Sequence, residues 1–235
     1  MASLPDAVAT IQAHAAPVVF LDTCVLLDII RAPLRNTAST VQAAMELLTA
    51  AQRVPPTVYP VIGCPTPTEW SDNFKNAVND CGIAVSSVNA VAEACGFLGI
   101  AGIPLLPDLA KTLPELLKAL SESLHLAAIL LDKDADALSR AFDRIINAEL
   151  PAKAGGKGAK DAVIMEHALG LTLALRAAGF QRTCIFVSSN TGDFAAPKTT
   201  NVHPILAPFF TSANLRYAAS LAEAVALLKG QGWAP

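Results

Sequence analysis

The chain has 235 residues, 53 % of them hydrophobic and 16 % charged, with a formal net charge of −3. That length and apolar content exclude global disorder and supply the core of one large domain. The acidic balance excludes gripping nucleic acid by bulk electrostatics, so any such binding must rely on local positive patches and metal ions.

Residues 1–16 alternate small and apolar positions and predict a short leading helix. After Pro17, the run Val18-Val19-Phe20-Leu21 ends on Asp22. It reads as a buried strand of a sheet covered on both faces. An apolar helix at 25–31 follows with almost no turn, stopping before Pro33. Val41, Ala44, Met45, Leu47 and Leu48 fall at helical spacing within 37–52. Val54-Pro55-Pro56 ends that helix, and 57–63 reads as a second strand, with Pro60 an objection to a central position.

Thr66-Pro67-Thr68-Glu69 is a helix start. Thr66 is the expected N-cap, Pro67 suits the first turn, and the helix is predicted to stop at Asp80, before Gly82. Residues 83–150 predict a mostly helical insertion, with helices at 86–96, 112–124 and 132–148 and a break at Pro104 and Pro107. Asp132, Asp134, Asp136 and Asp143 suggest a calcium loop only superficially. The Gly at the sixth position and the Glu at the twelfth are missing, so a solvated helix start is the better reading.

The stretch 152–160 is rich in Gly and Lys but has neither the spacing nor the preceding strand of a phosphate-binding P-loop. It reads as a basic loop opening an apolar helix from Asp161 to about Ala178, closed by Gly179. Residues 183–188 are the clearest strand after the first, ending in the polar turn Ser188-Ser189-Asn190-Thr191-Gly192-Asp193-Phe194. A last strand at 202–206 and a helix at 215–229 complete an alternating α/β pattern.

The five cysteines form no C-x-x-C pair and read as reduced, small hydrophobes. The most apolar stretch, 94–106, holds three glycines and a proline and is too short for a bilayer. No basic-then-apolar leader precedes the first helix. A cytoplasmic protein with no membrane association is expected.

Four acids share one placement. Asp22 and Asp193 follow strand ends, while Glu69 and Asp161 lie in the first turns of helices that follow loops. In a parallel sheet, strand carboxyl ends and the amino ends of the next helices share an edge, where ligands bind. Crowded carboxylates repel unless cations neutralise them, and hard oxygen donors select Mg2+ or Mn2+ over zinc. Divalent ions so held can activate water and stabilise the leaving oxygen in phosphodiester cleavage. Each acid alone also fits a strand-end cap or a helix-dipole partner, and Ser188 or Asn190 a simple turn.

Leu21-Asp22-Thr23 before Val25-Leu26-Leu27, the Thr-x-x-Glu-type helix start, Lys160-Asp161 before an apolar helix, and Ser-x-Asn-x-x-Asp-Phe after a strand together resemble the PIN domain family. The likeness is to its longer bacterial branch rather than the compact toxin type. The resemblance implies a three-layer α/β/α sandwich around a parallel sheet, spanning 1–235 as one domain. It also implies Mg2+- or Mn2+-dependent endoribonuclease activity. Asp22, Glu69, Asp161 and Asp193 match the metal-binding acids, Ser188 the hydroxyl residue before the last acid, and Asn190 a polar residue that helps arrange it. In the basic loop, Lys153, Lys157 and Lys160 are candidates to hold substrate phosphate, Lys157 and Lys160 foremost, with a solvated loop the alternative.

The implied partner is RNA, single-stranded or structured. An antitoxin or inhibitor protein and a homodimer are the other partners such a protein admits. Where the family often has Asn two residues after the first acid, this chain has Cys24, which cannot replace the amide's hydrogen bonds and is expected to alter support for the Asp22 region. Haloacid-dehalogenase-type chemistry needs Asp at that same position and is excluded by Cys24. Glu166 lies about 140° round the helix from Asp161 and reads as a different face, and His167 reads as a satisfied, semi-buried side chain. The alternative to a nuclease is a catalytically silent PIN-like module that binds RNA or protein.

Overall fold

The computed structural model describes residues 1–35, 37–97 and 108–235. In chain order, helix α1 (Leu4–His14) precedes β1 (Val18–Leu21), which is followed by α2 (Thr23–Ile30), α3 (Ala32–Arg35) and α4 (Ala38–Ala51). Strand β2 (Tyr59–Ile62) leads to the long α5 (Thr66–Phe97) and to α6 (Leu109–Ala127). Next come β3 (Ile129–Leu130), α7 (Ala135–Asn147), α8 (Ala159–Ala177) and β4 (Cys184–Val187). The short α9 (Thr191–Phe194), α10 (Ala207–Ala213), β5 (Arg216–Ala218) and α11 (Leu221–Lys229) complete the described elements.

All five strands are parallel, in the order β3-β2-β1-β4-β5. Period-two alternation divides the core. Val19, Leu21, Ile185 and Val187 face a layer that includes α2, α4, α5, α6 and α11. Val18, Phe20, Cys184 and Phe186 face α1, α8 and α10. Every residue of β1, β2 and β4 is buried, as expected of strands covered on both faces. The architecture is therefore a three-layer α/β/α sandwich.

Parallel pairing sets the working edge. Leu21 is in register with Val187, so Asp22 and Ser188, the next residue on each strand, leave the sheet side by side. The backbone N–H of Asp22 donates to Val187 and that of Ser188 to Ala218, carrying the ladder to the edge itself.

Several predicted elements differ. The second helix does not stop at Asp80. It runs through Gly82 to Phe97, because Ala77, Cys81 and Val85 are buried in the core shared with α6, and Gly82 lies close to the Ala110 carbonyl. Thr66 is the first residue of α5 rather than its cap, and its buried hydroxyl has no partner. Residues 83–150 are not all helical, since β3 extends the sheet beyond β2.

Pro60 is tolerated inside the sheet. Tyr59 donates to the β1 side, so the nitrogen of Pro60 faces β3, which pairs only with Val61 and Ile62. The strand expected at 202–206 is absent: Val202 makes only an isolated bridge to Ala195, and the last strand is β5. The predicted break at Pro104 and Pro107 lies outside the described residues. Among the described residues no helix is long and apolar enough to cross a membrane.

Candidate functional site

Asp22 stands at the N-cap of α2, yet its side chain makes no capping bond. Its Oδ2 instead accepts from the Ser188 hydroxyl at 2.6 Å and the Cys24 thiol at 3.0 Å. Burial raises the pKa of this carboxyl. Ser188 and Cys24 oppose the rise, and the charge of Glu69 adds to it. Ser188 itself is fully buried, its hydroxyl also accepts from the Asn190 N–H at 3.2 Å, and its carbonyl accepts from Tyr217 Oη at 2.8 Å.

Glu69, in the first turn of α5, is held by the Thr23 hydroxyl, which donates to Oε2 at 2.8 Å. Asp161, in the first turn of α8, has its pKa raised to about 7 by burial, and then by the charges of Asp22, Asp193 and Glu69. Asp193 lies on α9. The amide of Asn190 reaches both acids, 2.8 Å to Asp193 Oδ2 and 3.4 Å to Asp161 Oδ2. The remaining oxygen of Asp193, Oδ1, is in an ion pair with the Lys153 ammonium. The four acids thus sit within electrostatic reach of one another at the carboxyl edge of the sheet.

Other expectations fare differently. Neither Lys157 nor Lys160 forms an ion pair among the described residues; the basic loop delivers Lys153 instead. Cys24 does support Asp22, donating its thiol proton and accepting the Ser189 N–H at 3.3 Å, because a thiol is both a weak donor and a weak acceptor. Ser188 orients Asp22 rather than Asp193, and of the two polar residues of this turn it is Asn190 that touches the last acid. Glu166 is committed elsewhere, to Arg140 and Arg144. His167 is satisfied by the Val163 carbonyl and the Asp134 N–H. Asp134 caps α7 through the Ala137 N–H, so the acidic run around it is a helix start.

Sequence reading gives no role to Thr23 or Asp28 and gives Lys153 a different partner. Thr23 had a detectable signal, since a hydroxyl next to a strand-end acid faces the same edge. Asp28, six residues beyond Asp22, is nearly buried and paired with Arg35 at 2.6 Å. Lys153, read from its basic loop as a phosphate contact, is instead paired with Asp193, for which no local signal exists.

The oxygen donors suit a hard divalent cation in kind. Their placement is less complete: among the described residues, no group of three His, Cys, Asp or Glu side chains is arranged so as to hold a metal ion. No family model, curated protein or solved structure matches this chain. The class defined by fold and edge is a three-layer α/β/α domain with a carboxylate cluster at the carboxyl ends of a parallel sheet.

Proposed function

We propose that the chain is a PIN-like, Mg2+- or Mn2+-dependent ribonuclease. The observation that carries this reading is the gathering of acids at one edge: Ser188 joins Asp22 to the Asn190 turn, the Asn190 amide spans Asp161 and Asp193, and burial, then the charges of Asp22, Asp193 and Glu69, raise the Asp161 carboxyl to about 7. A protein gains no stability from such crowding, and perturbed acids gathered at a ligand-binding edge mark functional sites.

Asp22, Glu69, Asp161 and Asp193 would hold the ion, which when bound would neutralise the cluster and polarise water and phosphate oxygens. The chain's own groups have separable tasks. Ser188 and Cys24 fix Asp22, Thr23 fixes Glu69, and Asn190 spans Asp161 and Asp193. Lys153, Lys157 and Lys160 form the local positive patch that an acidic protein needs to approach a polyanion.

A second reading, a silent PIN-like module that binds RNA or protein, has more direct support at present. No three-residue metal group is assembled among the described residues, Asp193 already has a cation in Lys153, and α5 exposes Ile83, Val88 and Val91. Labelled single-stranded, hairpin and tRNA substrates incubated with Mn2+ distinguish the two readings. The nuclease reading expects cutting that is lost in EDTA and in Asp22→Asn. Absence of cutting, together with no rise in Tm on adding Mn2+, would overturn the nuclease reading in favour of the second.

A further inference from the structure

We propose that Lys153 is a built-in counter-ion of the acidic cluster, one that a divalent cation must displace from Asp193 in order to bind. The proposal rests on the reading of the four acids as a cation centre and adds a competitor within the chain.

The loop that carries Lys153 is closed by its own backbone. The Lys153 N–H donates to the Lys157 carbonyl at 2.8 Å, and the Gly156 N–H donates back to the Lys153 carbonyl at 3.2 Å. Gly158 then adopts φ 76°, and a Cβ there would meet the Pro151 carbonyl oxygen at 2.3 Å, so only glycine lets the loop turn into α8. That turn sets Lys153 and Asp161 on one loop–helix unit, with Asp161 in the first turn of the helix the loop opens.

The charge distribution gives the lysine its task. The Asn190 amide spans Asp161 and Asp193, and the Lys153 ammonium pairs with Asp193 at the end of that bridge. Asp193 is held from both sides, by Asn190 on Oδ2 and Lys153 on Oδ1, which commits a carboxylate that a metal ion would need. The Asp193 side chain is only 13 % exposed, whereas that of Lys153 is 49 % exposed. The ammonium can therefore withdraw to water along its flexible stem without unpacking the core. An ammonium and a divalent cation repel and contend for the same oxygen, so the two states exclude each other.

Mn2+ binding, followed by the electron paramagnetic resonance signal of the free ion, tests this on the full chain. Wild type, Lys153→Met, Lys153→Arg and Asp22→Asn are titrated, with Tm in EDTA recorded for each. Lys153→Met should bind Mn2+ about tenfold more tightly than wild type. Lys153→Arg, which keeps the charge, should stay near wild type, and Asp22→Asn should bind more weakly. Equal binding by wild type and Lys153→Met overturns the counter-ion while leaving the cation centre intact. A lower Tm for Lys153→Met without tighter Mn2+ binding also overturns it, because Lys153 would then be only structural. No binding by any variant removes the cation centre itself, and the proposal with it.

Discussion

Helix α8 carries two acids of opposite fate. Glu166 is 2 % exposed and sits between two guanidiniums, Arg140 Nε at 2.7 Å and Arg144 Nε at 2.6 Å. Arg144 is itself buried, stacks over Phe209 and donates to the Leu150 carbonyl, so the trio ties α7 to α8 with its one carboxylate fully paired. Asp161 lies five residues earlier on another face, within electrostatic reach of three more carboxylates, with the Asn190 amide at 3.4 Å. Glu166 is the more deeply buried of the two, Asp161 being only partly covered. The company differs, and that separates a carboxylate recruited for packing from one kept in an unfavourable state.

The sharpest test of this contrast is to remove one charge from each group. Glu166→Ala leaves Arg144 buried and unpaired, and should lower stability by about 3–5 kcal/mol, read from the denaturant midpoint. Asp161→Asn should act in the opposite direction. Native Asp161 titrates near 7, whereas in the unfolded chain it ionises near 3.8, so the native state binds more protons between those values. Stability therefore falls as pH rises from 4 to 7. Burial of Asp161 is the first cause of that fall, the charges of Asp22, Asp193 and Glu69 add to it, and the Asn190 hydrogen bond opposes it. Asp161→Asn removes the penalty. At pH 8 it should be about 1–2 kcal/mol more stable than wild type, allowing for partial exposure, with the two proteins converging near pH 4. A gain that persists at pH 4 would mean that Asp161 is not strained by its neighbours.

The same contrast explains what was legible in the sequence. Strands β1 and β4 are continuous apolar runs ended by polar residues, and their parallel register places Asp22 beside Ser188, so the edge could be read from local pattern. Asp161 and Glu69 were legible as helix-start acids. What failed depends on distant partners. Gly82 is a helix breaker by propensity, but packing of Cys81 and Val85 in the core shared with α6 carries α5 through it. Strand β3 has two residues, too few for any periodicity to register. The pairing of Lys153 with Asp193 joins residues forty positions apart, and no spacing rule finds such a contact. Arg140 and Arg144 have helical spacing, but nothing local says that both will meet Glu166.

The smallest expected effect concerns Cys24, where the two kinds of carboxylate are most nearly alike. Asp22 is as buried as Glu166, but its support comes from neutral donors rather than guanidiniums. Burial and the neighbouring charge of Asp22 push the Cys24 thiol well above its ordinary range, so it stays protonated and keeps donating. Cys24→Ser retains a donor of similar reach and should change stability by less than about 0.5 kcal/mol. Cys24→Ala leaves Asp22 with Ser188 as its side-chain donor and should cost about 1 kcal/mol, measured at pH 7 where the carboxylate is charged. The loss should shrink as pH falls through the raised pKa of Asp22, because a protonated carboxyl no longer needs the donor. An equal loss at every pH would show that the thiol fills space between β1 and β4 and does not hold the charge.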